Sequence, residues 1–245
     1  MSDQAGTISC AAQIPIFEHR LIRPSLGRWC EFSAVLLLAI GPFLLNSIHF
    51  YRFGTTFFGE QADAGLTFAI IQEITSLLLL GYVLVRRKIH LKDLGLRWSM
   101  RGILIGFVLA LASYAAYWVA YHFLIAMHDA FWPAVAFTPE PSWPGGRPAL
   151  LSVVLMCINP FFEELIVRVY LMTEVHALTG SWGLAVVLST LVQTSYHIYY
   201  GWIVMLALAF QFLVFSLFYA RKRQAAPLIV AHGYFDLYWV LLGLL

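Results

Sequence analysis

A chain of 245 residues that is 61% hydrophobic and only 11% charged is too apolar for an ordinary soluble domain. Its formal net charge of +2 leaves no basic excess of the kind a nucleic-acid binder carries. The class that remains is an all-α, polytopic transmembrane helix bundle, because runs of about 20 apolar residues match a hydrocarbon core of about 30 Å.

About seven spans are expected, with six or eight also compatible with the pattern. They run from Phe32 to Phe50, Leu66 to Val85, Ile103 to Met127, Ala149 to Met172, Gly183 to Tyr200, Gly201 to Ala220 and Ala226 to Leu245. The boundary between the fifth and sixth rests on the polar and aromatic stretch from Gln193 to Gly201. Residues 1–30 read as a cytoplasmic tail with no signal peptide, and 31–245 as a single transmembrane domain. Arg20, Arg23 and Arg28 precede the first span, a dense basic run from Arg86 to Arg101 follows the second, and Arg221, Lys222 and Arg223 follow the sixth. All of these fall on one side, which predicts a cytoplasmic N-terminus.

Between the third and fourth spans, the segment from His128 to Pro148 is rich in proline and glycine and reads as an irregular connector, with a lid as the alternative. In the third span Tyr114, Tyr117, Trp118, Tyr121 and His122 recur at helical spacing and form an aromatic packing face. Glu73 sits in the apolar middle of the second span, either as a partner of Arg168, as a cavity-lining group, or as a hydrogen bonder between helices. Cys10, Cys30 and Cys157 show no metal or disulfide pattern.

The fourth span carries the strongest signal. Glu163, Glu164 and Arg168 lie within an otherwise greasy helix, where each charge costs on the order of 2.5–3.5 kcal/mol even on insertion scales. Residues four apart share a helix face, so Glu164 pairs with Arg168 and leaves Glu163 with no local partner. A carboxylate in that position suits general-base work. Pro160 lies three residues earlier and is placed to kink the helix beside the glutamates. Later spans add His197, then His232 with Asp236 on one face. At 1.5 Å per residue, Glu163 lies about 13 Å from the inner end of its span, His232 about 9 Å and Asp236 about 15 Å. His197 comes out at roughly 21 Å, so its helix must start late, tilt or unwind to join them.

No histidine begins an HExxH, no GxSG precedes a histidine, no GxGD is present, and Cys157 has no neighbouring base. Glutamate and histidine are the available tools, with no metal and no cofactor implied. A proton-coupled carrier or an immunity-type binding protein is the non-enzymatic alternative. Carriers, however, distribute broken helices over both halves, whereas the ionisable groups here crowd into the second.

The run Glu163-Glu164-Leu165-Ile166-Val167-Arg168, the later His197, and His232-Gly233-Tyr234-Phe235-Asp236 resemble the EExxxR, FxxxH and HxxxN/D motifs of the CPBP family. These are the CAAX-protease and bacteriocin-processing, Abi or Rce1-like, membrane proteins. The resemblance covers the chain from Ala149 onward, and Leu94-Gly95-Leu96-Arg97 is similar to a further family phrase. Gln193 replaces the FxxxH phenylalanine, while Val167 and Val169 replace an aromatic and a glycine beside the arginine, which marks a divergent member.

The resemblance implies an intramembrane glutamic endopeptidase without a metal. Glu163 would activate water with His197 positioning it, His232 and Asp236 would stabilise the oxyanion, and Glu164 with Arg168 would support Glu163. It implies a multi-pass protein of the bacterial plasma membrane, surrounded by lipid and acting on a membrane protein or a lipidated or anchored peptide. The candidate substrates are a processed tail, a leader or a membrane anchor.

Overall fold

A computed structural model of the chain describes residues 26–57, 62–132 and 150–242, without the side chains of 62 and 239–242. Most of the proposed cytoplasmic tail, most of the predicted connector from His128 to Pro148, and the last three residues of the final predicted span lie outside the described residues. Among the described residues there are seven helices. They are α1 (Leu26–Phe53), α2 (Ala62–Arg86), α3 (Met100–Phe131), α4 (Leu150–Thr179), α5 (Trp182–Ser195), α6 (Trp202–Lys222) and α7 (Ala226–Leu242). Five of these, α1 to α4 and α6, are long and apolar enough to cross a membrane. The protein is an all-α membrane helix bundle.

Helices α1 to α3 all extend beyond their predicted bounds, α1 by six residues at its start, and two later elements differ in ways that shape the site. Helix α4 runs past Met172 to Thr179, because its last turns are sheltered by protein: Leu171 to Val175 are all buried. Helix α5 stops at Ser195, after a length of about 21 Å, and the chain passes through a 3-10 turn at Ile198–Tyr200 into α6. The polar stretch beginning at Gln193 therefore marks a true break, but the predicted fifth helix is shorter than its apolar run. Gly201, at φ 82°, supplies the left-handed backbone that starts α6.

Apolar burial drives little association between helices inside a membrane, so close approach and polar links position the elements. Helix α3 packs against α6 and α7. At Gly106 a Cβ would stand 2.7 Å from Val230 and 2.9 Å from the Pro227 carbonyl, so this glycine sets the α3–α7 distance. The expected aromatic face of α3 is present: the Tyr114, Tyr117 and Tyr121 rings stack at 6.5 and 5.8 Å, and Tyr114 stacks on Phe235 of α7 at 6.0 Å.

One end of the bundle is tied by charge. Glu174 of α4, almost wholly buried, accepts from Arg28 Nε at 2.9 Å and Nη2 at 3.2 Å, and from Arg87 Nη1 at 2.6 Å. Arg87 also pairs with Glu31, which bonds Arg86 at 2.7 Å. The fork geometry of the guanidinium suits this sharing, and it joins α1, the end of α2 and α4.

At the same end, the turn at Leu91–Leu94 closes on Gly95 (φ 80°), whose carbonyl accepts from Ala225 N–H at 3.0 Å. A Cβ at Gly95 would meet the Arg223 carbonyl oxygen at 1.9 Å. Gly95→Ala therefore combines a left-handed backbone penalty of about 1–2 kcal/mol with overpacking of about 1–3 kcal/mol. Thermal unfolding of the detergent-purified variant is expected to show that combined loss, whereas Gly54→Ala, with open space around a positive φ, shows the smaller one.

Candidate active site

Helix α4 changes form at the glutamates. Pro160 has no N–H to donate within the helix, and four residues later the chain enters a π-helical stretch, Glu164–Tyr170. The backbone ladder shifts there: Leu171 N–H reaches the carbonyls of Ile166 and Arg168. Ser189 of α5 donates its hydroxyl to the Val167 carbonyl at 2.8 Å, which ties this loosened turn to α5. Every residue from Phe162 to Val175 is buried, so the widened segment lies inside the bundle and not against lipid.

The ionisable side chains predicted from the sequence converge here. Glu163 is 4% exposed, while Glu164 and Arg168 are at 0%. Glu164 takes a hydrogen bond from His232 Nδ1 at 2.8 Å, and its second oxygen lies 3.8 Å from Arg168 Nε. The expected Glu164–Arg168 pair is thus a loose ion pair, and the tight partner of Glu164 is His232. Arg168 makes no hydrogen bond with any described residue; its guanidinium lies over Phe212 and Phe215, at 5.5 and 5.9 Å from the ring centres.

Glu163 is not the solitary carboxylate that spacing suggested. Gln193 donates its side-chain amide to Glu163 Oε2, and His232 Nε2 lies 3.7 Å from the same oxygen. His232 Nε2 is also 3.8 Å from Asp236 Oδ1. Neither distance is a hydrogen bond, and this nitrogen points between two carboxyl groups.

His197 sits just past the end of α5, on the unwound segment, and donates Nδ1–H to the Gln193 carbonyl at 2.7 Å. Because Gln193 bonds Glu163, the turn carrying His197 stands at the level of Glu163. The depth mismatch closes because α4 continues past Met172 to Thr179: measured from that end Glu163 lies about 24 Å along its helix, and the end of α5 at Ser195 lies about 20 Å from Trp182. Tyr196, Tyr199, Tyr200 and Phe212 pack around the imidazole at 4.7–6.1 Å between ring centres.

Two further polar residues join the site. Glu73 of α2, 1% exposed, accepts from Asn159 Nδ2 of α4 at 2.9 Å. Of the readings offered for Glu73, hydrogen bonding between helices is the one observed, with Asn159 and not Arg168 as partner. Replacing Asn159 with Leu strands the buried Glu73 carboxyl and is expected to cost about 1–3 kcal/mol, Glu73→Leu strands only the half-buried Asn159 amide and costs less, and the double variant is expected to recover most of the Asn159→Leu loss. A double-mutant cycle by chemical denaturation measures the difference.

Gln193 is the other addition. It stands where FxxxH has its phenylalanine, and its polarity in the last turn of an otherwise apolar helix is the signal that marks it in the sequence. Among the described residues, no three His, Cys, Asp or Glu side chains are grouped to hold a metal ion. Cys30 and Cys157 are exposed free thiols away from these contacts.

A membrane helix bundle that gathers glutamate, histidine and aspartate from three helices around a broken turn defines a membrane protein with a buried acid–imidazole centre. Residues 145–238 match the family model described as type II CAAX prenyl endopeptidase Rce1-like. That stretch is thus similar to the Rce1-like members of the CPBP family, a family of CAAX-type membrane proteases. The match contains Glu163, Glu164, Arg168, Gln193, His197, His232 and Asp236, and leaves Glu73 outside. No curated protein and no solved structure matches the chain.

Proposed function

We propose that the protein is an intramembrane endopeptidase in which Glu163 and His197 activate water without a metal ion. The observation that carries this reading is the meeting of α4, the end of α5 and α7 on Glu163, with Gln193 and His232 both directed at Oε2. Glu163 removes a proton from water, and the oxygen bonds to the carbonyl carbon of the scissile peptide. His197, with Nδ1–H committed to the Gln193 carbonyl, presents Nε2 as an acceptor that orients the water.

The carbonyl electrons move onto oxygen, and His232 receives that oxyanion. Its Nδ1–H is held by Glu164, so donation from Nε2 requires the imidazolium form; Glu163, Glu164 and Asp236 surround the ring with the acidic groups that balance such a charge. Asp236 either orients His232 or, protonated, donates directly. The carbon–nitrogen bond then breaks as the proton held by Glu163 passes to the leaving amine. Glu164 and Arg168 hold His232 and the π turn in place.

The Arg28, Arg86 and Arg87 cluster and the Gly95–Ala225 contact put the basic loops at one end of the bundle, which supports an N-terminus in the cytoplasm. A substrate held in the membrane by a lipid or an apolar anchor fits a site enclosed by helices. The test is cleavage of a farnesylated CAAX peptide by the full-length protein in liposomes. Turnover that survives metal chelation supports the reading; turnover abolished by chelation and restored by a divalent metal contradicts it.

A further inference from the structure

Glu163 and His197 are joined through a single residue. The Gln193 side chain is fully buried; its Nε2–H bonds Glu163 Oε2 while its main-chain carbonyl accepts from His197 Nδ1–H at 2.7 Å. A carboxylate only accepts, so the amide nitrogen must face Glu163. The amide oxygen is then turned into the protein, where it has no hydrogen-bond partner among the described residues. A buried acceptor left unpaired is unfavourable, and stability alone would favour an apolar side chain at this position. The residue is placed for its contact with Glu163.

We infer that Gln193 is a positioning residue of the site. Its side chain fixes which way the Glu163 carboxylate faces, and its carbonyl fixes His197 in the Nδ1–H tautomer with the Nε2 lone pair free. The two groups that handle the proton of water thereby keep a common register on one turn of α5, independent of movements of α7. Its consequence for turnover rests on the hydrolytic reading above; the hydrogen bond itself does not.

The test uses full-length protein in liposomes and infrared difference spectroscopy, with the Glu163 carboxylate band assigned as the one lost in Glu163→Gln. Gln193→Leu is expected to shift that band, because its donor is gone. Gln193→Glu supplies a donor of the same shape only when protonated, and is expected to regain the wild-type band as pH falls. Glu164 and Arg168 of α4, His232 and Asp236 of α7, His197, Tyr196, Tyr199 and Tyr200 after α5 and Glu73 of α2 all surround Glu163, so the response is read against wild type over the same pH range.

With the farnesylated peptide as probe, Gln193→Leu is expected to lower kcat by about a hundred-fold with little change in KM, as for a misplaced reacting group, and Gln193→Glu is expected to recover turnover towards acid pH. An unmoved band in Gln193→Leu overturns the inference at any level of activity. If Gln193→Leu does not fold, the absence of an acid-dependent band in Gln193→Glu overturns it equally. A shifted band in protein whose wild type leaves the probe uncut upholds the role of Gln193 and counts against the endopeptidase reading.

Discussion

Replacing Glu163 with alanine is expected to lower kcat for peptide cleavage by about 10²–10⁴-fold, the range a positioned general base contributes, while the protein inserts and folds as before. The stability expectation follows from its contacts. Glu163 accepts from Gln193, lies beside the Tyr196 side chain and has a distant approach from His232, and removing a carboxylate from a buried site also removes the cost of burying it. Glu163→Gln cannot accept the proton of water and is expected to be as inactive as alanine. Steady-state kinetics on reconstituted protein, paired with thermal unfolding, separate this outcome from a general loss of structure.

The neighbouring carboxylate should behave differently. Glu164 holds His232 at 2.8 Å and is the acid nearest to the fully buried Arg168. Glu164→Ala leaves that guanidinium without a counter-charge, and a broken buried pair costs about 3–5 kcal/mol. The same change frees His232 to rotate, so turnover falls along with stability. Glu164→Gln keeps an acceptor for His232 and is expected to restore part of both. Unchanged denaturant stability in Glu164→Ala would show that Arg168 is balanced by another group. Adjacent glutamates thus separate into one whose loss affects chemistry alone and one whose loss affects structure and chemistry together.

Much of this was legible in the chain. Apolar runs separated by basic clusters gave the helix bundle, and charge inside a greasy helix singled out Glu163, Glu164 and Arg168, since the membrane penalises charge that has no partner. Helical spacing also placed His232 and Asp236 together. The assignment of partners was less legible. An i,i+4 rule assumes an unbroken α-helix, and the π stretch from Glu164 to Tyr170 loosens the Glu164–Arg168 pair. That change follows from Pro160 and from tertiary support such as Ser189, which no local pattern encodes.

Hydropathy ran the fifth helix on to Tyr200 because Tyr196, Ile198, Tyr199 and Tyr200 are apolar enough to continue a span, although the three tyrosines pack around His197 in an unwound turn. Gln193 illustrates the same limit. As a letter it was a mismatch to a motif, and only the packing of α5 against α4 turned its amide onto Glu163. Glu73 was visible as an anomaly, yet its partner Asn159 lies 86 positions away, beyond the reach of periodicity.

The central claim is that Glu163 cleaves a peptide bond in another membrane protein, and the most direct measurement compares the termini of membrane proteins in cells carrying wild-type or Glu163→Ala protein at equal abundance. A set of new termini sharing a local sequence, present with wild type and missing with Glu163→Ala, is the predicted result. The same new termini appearing with both proteins would contradict it.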